Sequence, residues 1–200
     1  ALHAGEDQTA RDFARQLIAT FEPLELDVIA INAAGCGSAM KEYGHLLRDD
    51  PAWAERARAF SARVRDVSEI LASLEPRAPR QTMNLRVAYH DACHLAHAQG
   101  VREEPRKTLQ SVPGVSVVPF AEGEICCGSA GIFNLVQPEM AAELGDRKAS
   151  HIHAAAPDVV VTSNPGCLLQ IRTAAERAGH SYRVMHLMEL MDTAINPPGR

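Results

Sequence analysis

Short β-rich runs alternate with helical stretches through the second half of this 200-residue chain, which predicts an α/β fold with a parallel, doubly wound sheet. Two further observations sharpen the reading. The segments "DVIAINAAGC" (27–36) and "DVVVTSNPGC" (158–167) align without gaps at an offset of 131 residues, which suits a duplicated half-domain better than a solenoid. Every cysteine also falls just beyond a predicted strand. The ends of parallel strands share one sheet edge, and open α/β folds bind their ligands there.

The elements follow in order from Leu85. "LRVAYH" reads as a strand, and a helical stretch runs from about His94 to Gln110. "VSVVPF" is the second strand, after the turn "VPG". The next helix has Pro138 and Glu139 near its start, with Met140, Leu144 and Ile152 along it. "DVVVTS" is the third strand, "CLLQIRTAAERAG" a helix closed by Gly179, "YRVMHL" the fourth strand and "MELMDTAI" a last short helix. Parallel strands joined through helices require right-handed crossovers.

Upstream, the first copy of the repeat is expected to be truncated. The counterpart of Cys126 and Cys127 would fall before Ala1, and the chain has no initiator methionine, so a segment of a longer protein is expected. Trp53, Ala57, Phe60, Val64, Val67, Leu71 and Leu74 alternate steps of four and three, which predicts one helix with a core-facing stripe. The alternative is a seam for a partner helix. Arg56, Arg58, Arg63 and Arg65 then form a solvated surface, and "EPRAPRQ" reads as a linker. The expected organisation is the second half of a first repeat plus a connecting helix (1–75), a linker (76–84) and a complete second repeat (85–200).

Composition narrows the function. A net charge of −5 offers no basic field for nucleic acid, and 4% aromatic residues leave few platforms for stacking bases. The longest apolar runs fall short of the ~18 residues of a membrane span, and "ALHAGEDQ" lacks the apolar core of a signal peptide. Five cysteines are an odd and sparse set for a secreted disulfide scaffold, which points to a reducing cytoplasm and to metal binding or catalysis.

Cys93, Cys126, Cys127 and Cys167 follow successive strands of the second repeat, and Cys36 follows the matching strand of the first. Helix N-termini open at that edge and favour thiolate over thiol, the form that soft metals and iron–sulfur clusters require. Adjacent cysteines bind different atoms of a multinuclear centre, or one metal if the backbone turns sharply. Gly128 permits that turn, and Ser129, Ala130 and Gly131 leave room. Against this stands the plain reading of cysteine as a small buried hydrophobe. His90, His94 and His97 surround Cys93, as donors to the ligands, caps or surface groups, and one of them is a candidate ligand. Asp91 would orient a histidine or cap the next helix; His151 and His153 sit late in a helix. "GSAGIFN" lacks the lysine and spacing of a phosphate loop, and neither GxSxG nor HExxH occurs.

Cys93, then "CCG" at 126–128 after 32 residues, then Cys167 after 38 more, resembles the cysteine-rich CCG domain of heterodisulfide-reductase-type electron carriers. "YHDACHLAHAQGV", "CCGSAGIFNLVQPEMA", "TSNPGCLLQI" and "NAAGCGSAMKEYGHLL" are similar to the iron–sulfur subunits of bacterial glycolate oxidases, in their C-terminal part. The resemblance implies tandem CCG repeats and electron transfer from flavin-containing partner subunits, where FAD would oxidise glycolate to glyoxylate. It implies Cys93, Cys126, Cys127 and Cys167 as ligands of a 4Fe-4S cluster, with Cys36 as a half-site and His90, His94 and Gly128 in support. It also implies a cytoplasmic protein, peripheral on the inner face of the cell membrane where its acceptor would sit. The ferredoxin-like CxxCxxCxxxCP run that precedes the repeats in that family is not in this sequence. One departure matters: the last cysteine of the family's CxxC is Gln170 here and Ala39 in the first copy, leaving four thiolates in the complete repeat. Four thiolates also suit tetrahedral zinc, and a cluster-free pair such as Cys93 and Cys127 would suit thiol–disulfide exchange.

Overall fold

The computed structural model describes residues 4–197. In the second half β3 (Leu85–His90), β4 (Val115–Val118), β5 (Val159–Thr162) and β6 (Arg183–His186) form one parallel sheet in the order β4-β3-β5-β6. Alternation of side chains along the strands divides the core in two. Ala88 and Val160 face one side, against Ile152 of α8 (Pro138–Ala154) and Ile171 of α9 (Pro165–Arg177). Val87, Tyr89, Val159 and Val161 face the other, against Leu109 of α6 (Glu103–Gln110) and Leu187, Leu190 and Met191 of α10 (Leu187–Ile195). Helices on both faces make the sheet doubly wound. Each buried Val or Leu contributes ~1.5–3 kcal/mol, so these two faces rather than the propensity of strands of four to six residues hold the sheet together.

The first half repeats part of this on a smaller scale. After α1 (Asp7–Phe21), β1 (Ile29–Ile31) leads into α2 (Ala34–Lys41) and the short α3 (Tyr43–Leu46). β1 pairs in parallel with β2 (Val64–Asp66). Its core of Ile18, Ile29, Met40, Leu47, Phe60 and Val64 includes Phe60 stacked on Tyr43 at 5.6 Å between ring centroids.

Two expected helices are broken. The stripe from Trp53 to Leu74 is not one helix: α4 (Ala54–Ser61) ends, β2 intervenes and α5 (Val67–Ser73) begins anew. Asp66 starts it, because its Oδ1 accepts from the Ser68 N–H at 2.9 Å while Glu69 Oε2 accepts from the Asp66 N–H at 2.7 Å, a capping box. Leu74, the last residue of the stripe, is 60% exposed. His186 and Glu189 form the same box at the end of β6, so the duplication extends beyond the segment that aligns without gaps. The stretch from His94 to Gln110 divides into a π-helical turn (His94–Ala98) and α6. Pro105, which has no N–H, lies in the first turn of α6, where no donor is required.

A buried cation holds the segment between β4 and the cysteine pair. Lys148 of α8 is 1% exposed, donates from Nζ to the carbonyls of Glu122 (2.5 Å) and Gly123 (3.1 Å), and lies 5.3 Å from the Phe120 ring centroid. Burial lowers its pKa from 10.5. In the window between that depressed value and 10.5 the unfolded chain binds more protons, so the stability tied to this lysine rises with pH and is lost as pH falls. Lys148→Met leaves two carbonyls unpaired and should cost about 1–3 kcal/mol at neutral pH. The variant should also lack the rise of the wild type towards the ordinary lysine pKa. Urea unfolding of both proteins, at neutral pH and near that ordinary pKa, measures each effect.

Candidate metal centre

The strand order decides where a ligand fits. β3 and β5 are adjacent and parallel, pairing Val87 with Val159 through His90 with Thr162. From β3 the chain leaves through α6 towards β4, and from β5 it leaves through α9 towards β6 on the opposite side. A crevice opens where the order reverses. Cys93 lies just after β3, and Cys167 lies in the first turn of α9 just after β5. The loop after β4 carries Cys126 and Cys127 to the same place. All four line one small pocket, with Ala92, His94, Ser129, Ala130 and Asn164.

Close approaches bring the loops together. Gly128 has φ +92°, and a Cβ there would collide with the Ala141 carbonyl oxygen, so only glycine lets the chain turn against α8. A Cβ at Gly166 would lie 2.6 Å from Ser129 Oγ, which sets the separation of α9 from the loop after the cysteine pair.

Each sulfur borrows from its neighbours. The Gly128 N–H donates to Cys126 Sγ at 3.3 Å, the Asn164 amide to Cys167 Sγ at 3.3 Å, and Cys93 Sγ lies 3.5 Å from His94 Nδ1. Hydrogen bonds from Cys127 and then Cys93 hold Cys126 well below the usual thiol range. Cys167 is lowered to about 5, chiefly by Cys127, against burial and with help from His90 and Asn164. Cys93 and Cys127 are driven up, in each case first by the bond to Cys126. These opposed shifts favour the thiolate form at Cys126 and Cys167 over Cys93 and Cys127. A soft cation binds the thiolate form and would displace protons from the other sulfurs.

His90 deepens the site. It is 1% exposed, neither ring nitrogen has a hydrogen-bond partner among the described residues, and its ligand atom and the sulfurs of Cys127 and Cys167 lie within 4.8 Å of one another. An unpaired buried polar group costs about 1–3 kcal/mol, so the ring is suited to a ligand that is bound here. This donor set of soft sulfurs, small walls and an unpartnered imidazole fits a metal or an iron–sulfur cluster.

Other expected residues lie elsewhere. Cys36 is exposed, at the same place in α2 that Cys167 takes in α9, and outside the pocket of the other four. Both oxygens of Asp91 accept from Arg106, at 2.8 and 2.6 Å. His97 meets Arg102 at 2.9 Å, His151 meets Glu122 at 3.1 Å, and His153 stacks on His180 at 3.9 Å between centroids. Gln170, at the family's last cysteine, donates instead to the Ala141 carbonyl at 2.8 Å and ties α9 to α8. Lys148 and Asn164 escaped sequence reading. A lysine at a position that the helical period buries was the available signal for the first, and the "NPGC" cap beside a ligand cysteine for the second.

Comparison with known proteins agrees with this architecture. The family model of the CCG cysteine-rich domain matches residues 1–41 and 87–172. The chain is 40% identical over 193 residues to the probable glycolate oxidase iron-sulfur subunit of Bacillus subtilis, covering 94% of this chain and 44% of that protein. It is 28% identical over 196 residues to lactate utilization protein A of Exiguobacterium sp., covering 98% and 80% respectively. One component of the fumarate reductase (CoM/CoB) of Methanothermobacter marburgensis is 38% identical over 171 residues, covering 85% of this chain and 33% of that protein. The chain thus spans less than half the length of the Bacillus subtilis relative. The resemblance carried by the cysteine motifs holds, and the chain belongs to the CCG cysteine-rich domain family.

Proposed function

We propose that this chain is an iron–sulfur electron-transfer part of an oxidoreductase complex, with Cys93, Cys126, Cys127 and Cys167 as ligands of a 4Fe-4S cluster. One observation carries the reading: four sulfurs from three separate loops line a single pocket of small side chains. When bound, such a cluster accepts and releases single electrons. Around it the chain supplies the Gly128 N–H to Cys126, the Asn164 amide to Cys167, and a largely buried seat for Cys127 and Cys167. Cys36, as a half-site, would need thiolates from outside the described residues.

The name of the Bacillus subtilis relative supports glycolate as the substrate. Glycolate would be oxidised to glyoxylate in a flavin-containing partner subunit, and the two electrons would leave through this chain to an acceptor. Among the described residues no helix is long and apolar enough to cross a membrane. We place the complex in the cytoplasm, at the inner face of the membrane where a membrane-bound acceptor is reached. A second reading has its own observation: His90 with Cys127 and Cys167 forms a compact three-ligand group, which with Cys126 would suit tetrahedral zinc.

Anaerobic purification followed by iron, sulfide and zinc assays should find iron and acid-labile sulfide with broad visible absorption. Stoichiometric zinc without colour would establish the second reading instead. A metal-free, titratable dithiol would point to thiol–disulfide exchange.

In the assembled complex, Cys127→Ser should still allow glycolate to reduce the flavin, while transfer to an external acceptor collapses with the cluster. His94→Ala should slow that transfer by only ~10–100-fold, as for a partner of a ligand. Stopped-flow flavin reduction with glycolate and with lactate, beside steady-state turnover, separates the steps and ranks the substrates. Unchanged turnover in a folded, assembled Cys127→Ser complex would remove the redox role.

A further inference from the structure

Asn164 occupies the N-cap of α9 with extended backbone, yet its side chain makes no cap hydrogen bond. An asparagine there ordinarily turns its oxygen onto the N–H groups of its own helix. This one makes two other bonds. Its Nδ2 donates to Cys167 Sγ at 3.3 Å, and its Oδ1 accepts from the Gly35 N–H of α2 at 3.3 Å. The orientation of the amide follows from its partners: a backbone N–H only donates, so Oδ1 must face Gly35 and the NH₂ must face the sulfur. The neighbouring contact reinforces the join, since the Ala34 N–H donates to the Ser163 carbonyl at 3.2 Å. In the first copy the residue matching Asn164 is Ala33, which can do neither.

We propose that Asn164 is a positioning residue that tunes the redox centre and fastens the half-repeat to it. The inference rests on the cluster reading above. A donor to a ligand sulfur draws electron density from it and stabilises the more negative, reduced state, which raises the reduction potential. The carbonyl end of the same amide holds α2 against the loop that leads to Cys167, so the first segment supports the second.

Two variants divide the roles. Asn164→Asp keeps an acceptor for Gly35 and replaces the donor at Cys167 by an anionic oxygen. Asn164→Ala removes both bonds and adds no charge, so it reports even if the Asp variant assembles poorly. Each is compared with the wild-type chain by spin-resonance redox titration of the signal that Cys127→Ser abolishes, and by hydrogen exchange of the α2 amides. Both variants should lower the potential, with the reduced-to-oxidised ratio at fixed poise falling about tenfold, or ~59 mV for a one-electron couple. Only Asn164→Ala should speed exchange in α2. A wild-type protein without iron and sulfide would overturn the cluster reading and this proposal with it. A loaded wild type whose variants keep its potential would overturn the role of Asn164 alone.

Discussion

Parallel pairing of β3 with β5 at the centre of the sheet is the constraint on which the site depends. Their four-residue register carries both strands in one direction, so the residues that follow them emerge side by side. An antiparallel pair of that length would separate the same residues by about 13 Å, at ~3.3 Å per residue. Since the two chains then diverge to opposite flanks, the gap between them stays open for the loop after β4. Convergence of Cys93, Cys126, Cys127 and Cys167 is thus a consequence of strand direction and strand order.

The second constraint is electrostatic. Cys127 and Cys167 belong to an apolar face of the core, where a lone thiolate would be costly. The site manages this by sharing protons between neighbouring sulfurs and by aiming N–H groups of Gly128 and Asn164 at two of them. Lys148 is a separate case of the same kind. Its charge lies buried beneath the loop that leads to Cys126, and backbone carbonyls rather than a carboxylate satisfy it.

Duplication explains the rest of the architecture. The β1–α2 unit and the β5–α9 unit are copies, each with a cysteine in the first helical turn, and each is followed by a strand and a capping box. Alignment without gaps covers the first part and not the second, because 29 residues separate Cys36 from Asp66 but only 18 separate Cys167 from His186. The copies then face each other, with α2 resting on the loop at Ser163 and Asn164. With Ala33 at the position that Asn164 takes, the contact is made from the second copy alone.

By itself the sequence determined the local periods and the punctuation: four β-rich runs, their helices, the repeat and the placing of cysteines after strands. These are legible because alternation, proline and capping residues act over a few neighbours. It misread Trp53–Leu74 because Val64, in a strand, and Ala57 and Phe60, in a helix, all enter one core, and apolar spacing records burial without recording which backbone delivers it. Tertiary structure decided that His90 lies beside two sulfurs, that Lys148 is buried, that Gln170 binds α8 and that Asn164 reaches α2. Each of those outcomes joins residues far apart in the chain and is set by how loops and helices pack, so a local pattern marks the residue at most and never its partner.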